Sequence, residues 1–322
     1  MRPLIILIPY FGRWSQWIEL FVESCKWNPE VHWRIYTDCG EPQNKAANID
    51  YVHLSLGEYI TLIQSRLGIR CEWSDPYKLC EIKPCLGHVH EADVEGYLFF
   101  GYGDIDVIYG NIRAFYTDAL LAKYNVISTH FERLAGHFAI FRNTENLRRA
   151  YERIPDWRRL IAESQFNSVA ETHFSRVFMR SAKSQGLAAD DPLLQGLLFV
   201  ERYSTMYSQS GWHDGTMEYP ERWFWQQGRL TNDRDGTREF LYLHFMRWHS
   251  NRWTSDPPKT GEGAWVGRNI MHIDWRRAAV DGFCISARGF SEIGRRSGAA
   301  ASGAKSQSLR ATINPDSGRA KR

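Results

Sequence analysis

Residues 97–110 read YLFFGYGDIDVIYG, and this stretch decides the fold. Its first four residues are bulky and apolar, which predicts a strand buried on both faces of a sheet. Gly101 and Gly103 then remove side chains where the backbone turns or a neighbouring group approaches closely. Asp104 and Asp106 follow, and two carboxylates at the end of an apolar strand are unfavourable without a positive partner. The stretch therefore predicts a divalent cation, Mg²⁺ or Mn²⁺, with open positions for phosphate oxygens.

The Asp-x-Asp triplet alone is a short motif, and such triplets also occur in solvated turns and helix caps. Here the triplet lies inside an apolar run, since Val107 and Ile108 follow it directly. That setting favours binding of a metal ion or a phosphate over a solvated turn.

The chain before this stretch predicts a parallel sheet covered by helices. Apolar runs and one amphipathic segment alternate there, giving strands over 4–8, 31–36 and 48–54 and a helix over 15–25. Strand, helix and strand with short connections are typical of a parallel α/β sheet. Ligands bind beyond the carboxyl ends of such strands, so we expect three segments to converge there: 9–12, 37–38 and 103–106.

Two lysines lie between the third strand and the acidic triplet. Helices are predicted over 55–67, where Ser55 can cap the first turn, and from residue 75, where a proline occupies the first turn. Lys78 and Lys83 lie near the start of the second helix, a place that suits a phosphate or a carboxylate. The equally weighted alternative is that both are solvated surface lysines.

The second half offers three further polar candidates. Strands are predicted over 126–129, 136–143 and 238–244, and helices over 144–154 and 162–178. His137 begins the second strand and His244 ends the third, where a neutral imidazole can reach a metal ion. Glu171, on the second helix, is either a catalytic carboxylate or a solvated helix residue.

The composition limits the class of protein. The chain has 322 residues, 43% of them hydrophobic, which is enough for one large α/β domain. Its 13 tryptophans can form a sugar-binding platform, although packing is the more frequent role of such residues. The six cysteines show no C-x-x-C or zinc spacing, which predicts reduced thiols. The sequence shows neither a signal peptide nor an apolar run long enough to span a membrane.

The last 31 residues differ from the rest. Residues 292–322 are rich in Gly, Ala, Ser and Arg and have a net charge of +5, which leaves −2 on residues 1–291. We therefore predict one domain over 1–291 and a disordered basic tail over 292–322. A mildly acidic body argues against nucleic acid as a partner. The expected location is the cytoplasm, with peripheral contact between the tail and the inner membrane as a further expectation.

These motifs together resemble a family of bacterial glycosyltransferase-like proteins with the nucleotide-diphospho-sugar transferase fold, called GT-A. The resemblance covers about residues 3–291, and its strength is the order of motifs that are individually weak. Those motifs are PYFG at 9–12, TD at 37–38, DPYKLC at 75–80, KP at 83–84, GYGDIDVIYG at 101–110, GHF at 136–138, FRN at 141–143 and LHF at 243–245.

The resemblance implies roles for individual residues. Asp104 and Asp106 would bind Mn²⁺, or Mg²⁺, and through it the donor diphosphate, and His244 would complete the metal site. The other residues implied in donor binding are Pro9, Tyr10 and Phe11 at the base, Asp38 near the base or ribose, Lys78, Lys83 and Gly103 near the phosphates, and Gly136, His137 and Phe138 facing donor sugar and acceptor. Many relatives have an Asp-Glu pair where this chain has Ala170 and Glu171, which makes Glu171 a weaker candidate for the catalytic base. Glu171 and His137 are the two candidates.

The implied reaction moves a sugar from a nucleotide-diphospho-sugar to a glycan or lipid-linked acceptor in surface polysaccharide synthesis. The metal would stabilise the leaving diphosphate, and an inverting enzyme would also need a base for the acceptor hydroxyl. Two other classes compete with this one. A phosphohydrolase needs more Asp and His ligands near Asp104 than the sequence offers, and a non-catalytic carbohydrate-binding protein would use the aspartates for a structural metal ion.

Overall fold

The computed structural model describes residues 2–131, 133–179, 191–200, 211–245 and 269–294. Its main element is a seven-stranded mixed sheet with the spatial order β3-β2-β1-β4-β7-β6-β8. These strands are β1 (Arg2–Pro9), β2 (Val31–Thr37), β3 (Ile49–His53), β4 (Tyr97–Gly103), β6 (Val126–Ser128), β7 (Phe138–Arg142) and β8 (Leu197–Phe199). The α/β fold class predicted from the sequence, a mixed sheet flanked by helices, is confirmed.

The direction of the strands divides this sheet into two parts. Strands β3, β2, β1 and β4 are parallel to one another, with Leu4 opposite both Val31 and Phe99. Strand β7 is antiparallel to β4 and to β6, and β8 is parallel to β6. The carboxyl ends of β1, β2 and β4 therefore lie at one edge, as the alternation of strands and helices predicted.

Helices cover both faces of the sheet because its strands are apolar on both sides. The α-helices are α1 (Ile18–Lys26), α2 (Leu56–Leu67), α3 (Leu86–Val89), α4 (Glu91–Val94), α5 (Ile112–Phe115), α6 (Asp118–Lys123), α7 (Glu145–Arg148), α8 (Trp157–Ala162), α9 (Phe174–Phe178) and α10 (Trp275–Asp281). Short 3₁₀ helices span Pro76–Glu81, Lys83–Cys85, Ala150–Arg153 and Pro192–Leu194, and one π-helical turn spans Val169–His173.

Helix α2 shows why local sequence determines where a helix begins. The Ser55 side chain accepts a hydrogen bond from the backbone amide of Glu58, and the Glu58 carboxylate accepts one from the amide of Ser55. This reciprocal pair of hydrogen bonds satisfies two backbone amide groups that have no acceptor within the helix. Gly68 ends the helix in the left-handed conformation, at φ 63°.

A ladder of two strands stands outside the main sheet. Strand β5 (Val107–Tyr109) pairs antiparallel with β11 (Tyr242–His244), so that His244 lies opposite Val107. The sequence predicted a strand over 238–244, but only its last three residues are extended. The ladder places the end of that strand beside the acidic triplet.

The sequence did not predict the second sheet. It has the order β10-β9-β12-β13, formed by β9 (Arg222–Gln226), β10 (Arg229–Asn232), β12 (Phe283–Ser286) and β13 (Gly289–Ser291). Its inner face buries Trp223 and Trp225, and the Trp225 indole donates to the carbonyl of Tyr109 at 2.8 Å. Trp212 is also buried, so these three tryptophans are packing residues; Trp248 and Trp253 lie outside the described residues.

Several other expectations concern the whole chain. None of the six cysteines forms a disulfide bond. In the part of the chain that the structure describes, no helix is long and apolar enough to cross a membrane. Of the predicted tail, residues 295–322 lie outside the described residues.

Candidate active site

The loops that follow β1, β2 and β4 are bonded to one another. The amide of Gly12 donates to the Asp38 carboxylate at 2.7 Å, which joins the loop after β1 to the loop after β2. The indole of Trp17 donates to the carbonyl of Ile105 at 2.9 Å, which joins the start of α1 to the acidic triplet. The predicted convergence of these three loops is therefore present.

Asp104 lies directly after β4 and is held by a buried lysine. The Lys83 ammonium forms an ion pair with Asp104 and donates to the carbonyl of Gly136 at 2.8 Å. The amide of Asp104 also donates to the carbonyl of His137 at 3.1 Å. The loop before β5 and the loop before β7 are therefore joined directly by this bond and a second time through Lys83. Burial opposes the charge on Lys83, but the Asp104 carboxylate outweighs it and raises the pKa of Lys83. Burial raises the pKa of Asp104, although Lys83 opposes that shift.

Asp106 has its own partner, which comes from the far end of the chain. His244 Nε2 lies 3.1 Å from Asp106 Oδ2, and the amide of Phe245 donates to the carbonyl of Asp106 at 3.2 Å. The side chains of Asp106 and His244 are 22% and 11% exposed, so both reach the surface of the cleft. Burial opposes ionisation of Asp106, but the adjacent His244 outweighs it and lowers the pKa of the carboxyl group.

His137 packs directly against His244. The two imidazole rings are stacked, with centroids 3.9 Å apart and planes 20° apart. His137 Nε2 lies 2.7 Å from the hydroxyl of Tyr242, which also bonds to the hydroxyl of Thr129. His137 is only 5% exposed, and burial lowers its pKa well below the usual value, so the ring is neutral near pH 7. This environment suits a side chain that orients His244.

Glu171 lies over the loop that contains Gly136. A β-carbon on Gly136 would come within 2.6 Å of Glu171 Oε1, so the carboxylate occupies the space that this glycine leaves. Arg133 Nη1 lies 3.2 Å from Glu171 Oε2, and the Glu171 side chain is 36% exposed. The predicted helix over 162–178 begins only at Val169, because Ser168 adopts a left-handed conformation at φ 54°. Glu171 thus lies on a π-helical turn at the cleft.

The structure does not bring Lys78 to this cluster. The Lys78 ammonium forms a buried ion pair with Glu81 and donates to the carbonyls of Leu160, at 3.1 Å, and Gln165. The alternative that both lysines are solvated is wrong, since Lys78 is 3% exposed and Lys83 is 6% exposed. Only the second of them meets the acidic pair.

The residues implied at the nucleotide base differ in their exposure to solvent. Phe11 is buried against Tyr59, with ring centroids 5.2 Å apart, whereas Pro9 and Tyr10 are half-buried and Asp38 is exposed. Tyr10 stacks on Trp14, with centroids 5.1 Å apart and planes 7° apart. Trp14 was not singled out from the sequence, and the flat pair with Tyr10 is the surface at this edge that suits a planar base.

Glycines explain how closely the site elements pack. A β-carbon on Gly101 would lie 2.5 Å from the carbonyl oxygen of Ala139 on the neighbouring strand, and one on Gly103 would lie 3.0 Å from the hydroxyl of Tyr109. Both glycines lie within β4 rather than in a turn. The predicted close approach at these positions is therefore made by the protein itself.

The acidic pair and His244 suit a divalent cation in their chemistry. Carboxylate oxygens and an imidazole nitrogen are ligands that Mn²⁺ accepts, and Mg²⁺ also accepts the oxygens. Among the described residues, no three His, Cys, Asp or Glu side chains are placed so that they could hold a metal ion together. Lys83 bonds Asp104, so this carboxylate would have to exchange the ammonium for the cation.

The fold and the site define an α/β protein with two neighbouring carboxylates, Asp104 and Asp106, at the carboxyl edge of the parallel strands. A family profile covers residues 6–269, and the chain belongs to that family, DUF6625, a family of unknown function. No curated protein sequence matches the chain.

Two solved structures with a weak overall similarity are both of LgtC. One is galactosyltransferase LgtC in complex with donor and acceptor sugar analogs, with 9% identity and a TM-score of 0.35, covering 63% of this chain and 75% of that one. The other is an active-site mutant of LgtC, with 10% identity and a TM-score of 0.40, covering 85% of this chain and 93% of that one. At such TM-scores and identities, no residue role is transferred from LgtC to this chain.

Proposed function

We propose that this protein is a metal-dependent GT-A glycosyltransferase. It would move a sugar from a nucleotide-diphospho-sugar to a glycan or lipid-linked acceptor, in surface polysaccharide synthesis. One observation supports this proposal above all others: His244 Nε2 lies 3.1 Å from Asp106 Oδ2, two residues after Asp104, where β4 ends at the carboxyl edge of the parallel strands. Ligands of α/β sheets bind at that edge.

Asp104, Asp106 and His244 would hold Mn²⁺ or Mg²⁺. A cation bound there supplies Lewis-acid stabilisation of the charge that develops on the leaving diphosphate. If Asp104 held the cation, the Lys83 ammonium would lose its carboxylate partner while keeping the carbonyl of Gly136, and a phosphate oxygen of the donor could replace the carboxylate. Lys83 is buried and cannot turn to bulk water, so its charge adds to the stabilisation of the leaving group.

The donor nucleotide would lie along the loops after β1 and β2. The half-buried Tyr10 offers its ring to the base, and its stacking on Trp14 fixes the orientation of that ring. Asp38 is exposed and can accept hydrogen bonds from the base or ribose, while the Gly12 amide holds the carboxylate in place. Gly103 and Gly136 flank the phosphates and the donor sugar in this arrangement.

Glu171 and His137 are the two candidates for the base that accepts the proton of the acceptor hydroxyl. His137 is buried, and its Nε2 is bonded to Tyr242. Glu171 is 36% exposed and lies over the Gly136 loop, whose carbonyl accepts from Lys83. The greater exposure of its side chain favours Glu171 as the base.

Nucleotide binding in the presence and absence of metal tests this proposal. The full chain is heated with UDP, GDP or CDP, each with Mn²⁺ or with a chelator, because a ligand that binds only the folded state raises the melting temperature. We expect one nucleotide to raise it only when Mn²⁺ is present. The double variant Asp104→Asn with Asp106→Asn should lose that shift.

The matched control is Asp118→Asn, which changes a carboxylate that is 91% exposed and paired with Arg113. It should keep the full shift. If no nucleotide shifts the melting temperature with metal, the transferase proposal fails, and the non-catalytic carbohydrate-binding protein takes its place. If the shift survives in the double variant, the assignment of the acidic pair is wrong.

A further inference from the structure

Two exposed aromatic side chains lie against each other near the acidic cleft. Tyr77 is 58% exposed and Phe166 is 47% exposed. Their ring centroids are 5.3 Å apart and their planes are 38° apart. Exposed aromatic pairs on a folded surface mark places where a partner or ligand binds. We call Tyr77 and Phe166 the aromatic pair.

A buried ion pair holds the two backbones that bear these rings. Lys78 follows Tyr77 and donates to the carbonyl of Gln165, the residue before Phe166. Glu81 Oε1 accepts from the amides of Asn167, at 2.6 Å, and Val169, at 3.0 Å. The side chains of Lys78 and Glu81 are 2% and 1% exposed. Two buried charges thus hold the backbone on both sides of Phe166 beside the segment that bears Tyr77.

The same segments lead directly into the acidic cleft. Lys83 follows Tyr77 by six residues, which is about 12 Å at the rise of a 3₁₀ helix. Glu171 follows Phe166 by five residues. Between Tyr77 and Lys83 lies Cys80, whose thiol is subject to the charges of Lys83, Asp104 and Glu171. The aromatic pair therefore adjoins the cleft on the side of Glu171.

The charge around the aromatic pair limits what can bind there. Its neighbours Glu72, Asp75 and Glu163 place carboxylates at the surface. Within residues 71–79 and 163–170 the single basic residue is the buried Lys78, and Glu163 is paired at 2.9 Å with the exposed Arg159. Anionic lipid and anionic polymers are attracted by an excess of exposed Lys and Arg, and these two segments have no such excess. An uncharged sugar ring, with apolar C–H groups on one face and hydroxyl groups at its rim, fits both the rings and the carboxylates.

We propose that Tyr77 and Phe166 form a stacking surface for an uncharged sugar ring of the acceptor glycan, next to the proposed transfer site. The role of the glycan as acceptor rests on the proposed function; the sugar-binding surface itself does not. Stacking one ring outside the cleft would place the next sugar of the acceptor near Glu171.

The test measures binding of uncharged oligosaccharides to the full chain without any donor. The probes are immobilised di- to tetrasaccharides of glucose, galactose and N-acetylglucosamine. We expect wild type to bind at least one probe, and the double variant Tyr77→Ala with Phe166→Ala to bind it about tenfold more weakly. Tyr77→Phe with Phe166→Tyr keeps both rings and should bind as wild type does. Leu98→Ala is the matched control, since Leu98 is a 40% exposed apolar residue near the opposite end of β4.

The outcomes separate this inference from the proposed function. If wild type binds none of the probes, or if the double alanine variant binds as well as wild type, the stacking surface is wrong. Binding to vesicles of uncharged lipid with no binding to sugars also contradicts it. Sugar binding that depends on the aromatic pair, together with no metal-dependent nucleotide shift, keeps this surface and removes the transferase.

Discussion

His137 and His244 are stacked with 3.9 Å between ring centroids, although 107 positions separate them in the chain. His244 faces the Asp106 carboxylate, while His137 Nε2 is hydrogen-bonded to the hydroxyl of Tyr242. His244, the proposed metal ligand, thus has a fixed orientation before a cation binds. A group that orients a ligand in this way contributes to metal affinity without touching the metal.

Tyr242→Phe tests that orientation. It removes the hydroxyl that bonds His137 Nε2 and the Thr129 hydroxyl, so the stacked rings lose their fixed position. We expect the affinity for Mn²⁺, measured by paramagnetic resonance of the free ion, to fall about tenfold. Tyr51→Phe is the control, because the Tyr51 hydroxyl has no hydrogen-bond partner in the described part of the chain. Equal affinities in both variants would leave Tyr242 with a packing role alone.

Gly136→Ala should affect catalysis more than stability. The added methyl group meets the end of the flexible Glu171 side chain, which can move aside while the backbone stays in place. We expect kcat to fall about 100-fold or more, as it should for Glu171→Gln. Gly101→Ala provides the contrast, since its methyl group would meet a backbone carbonyl and must distort the sheet. Thermal unfolding and single-turnover transfer measure the two effects; equal loss of stability in both variants would contradict this prediction.

Lys78→Met should destabilise the fold strongly. It leaves the Glu81 carboxylate buried without its counter-ion, which costs about 3–5 kcal/mol of unfolding free energy. Urea denaturation gives the free energy, and the double variant Lys78→Met with Glu81→Leu should recover part of the loss. Lys45→Met removes an exposed ion pair with Glu41 and should leave the urea midpoint unchanged. A midpoint for Lys78→Met equal to that of wild type would mean that the ion pair does not hold the Phe166 loop.

Asp93 should make stability depend on pH in the acid range. A hydrogen bond from His90, together with those from Tyr36 and Arg34, lowers the pKa of the Asp93 carboxyl group despite its burial. Since the folded pKa lies below the unfolded value of about 3.9, the stabilisation is complete at higher pH and is lost as pH falls through the folded pKa. Asp93→Asn should therefore be less stable than wild type by about 2 kcal/mol at pH 7. That difference should shrink below about pH 4; a difference that stays constant from pH 7 to pH 3 would contradict the assignment.

The sequence predicted the first half of the fold better than the second. Apolar runs such as Leu4–Ile8 lie in parallel strands. A strand that is buried on both faces is a continuous run of apolar residues, which is easily recognised in the sequence. The sheet around Trp223 and Trp225 was missed because its strands are only three to five residues long. Two of its pairings are local hairpins, β9 with β10 and β12 with β13, and only the pairing of β9 with β12 joins segments about 60 residues apart.

The site residues, like the fold, were predicted only in part. Asp104, Asp106 and His244 were predicted as one metal site; the structure pairs Asp106 with His244 and Asp104 with Lys83, and a metal site formed by all three stays a prediction. Lys78 and Lys83 have similar local sequence, and only the packing of the chain around each ammonium distinguishes them. Tyr242 was overlooked, although it lies two residues before His244 in an extended segment and so shares its face. Trp14 had no signal of its own, because its stacking on Tyr10 depends on the turn at Gly12.

The two-stranded ladder between β5 and β11 also has a consequence for folding. Asp106 and His244 are separated by 138 positions, and the described register of three residue pairs brings them together. A slip of one residue would turn His244 to the opposite face of its strand and leave Asp106 without a partner. Closing so long a loop is entropically unfavourable and slow. The ability to bind a metal ion should therefore appear late in refolding, after the main sheet has formed, and chains misaligned at this ladder would remain folded but inactive.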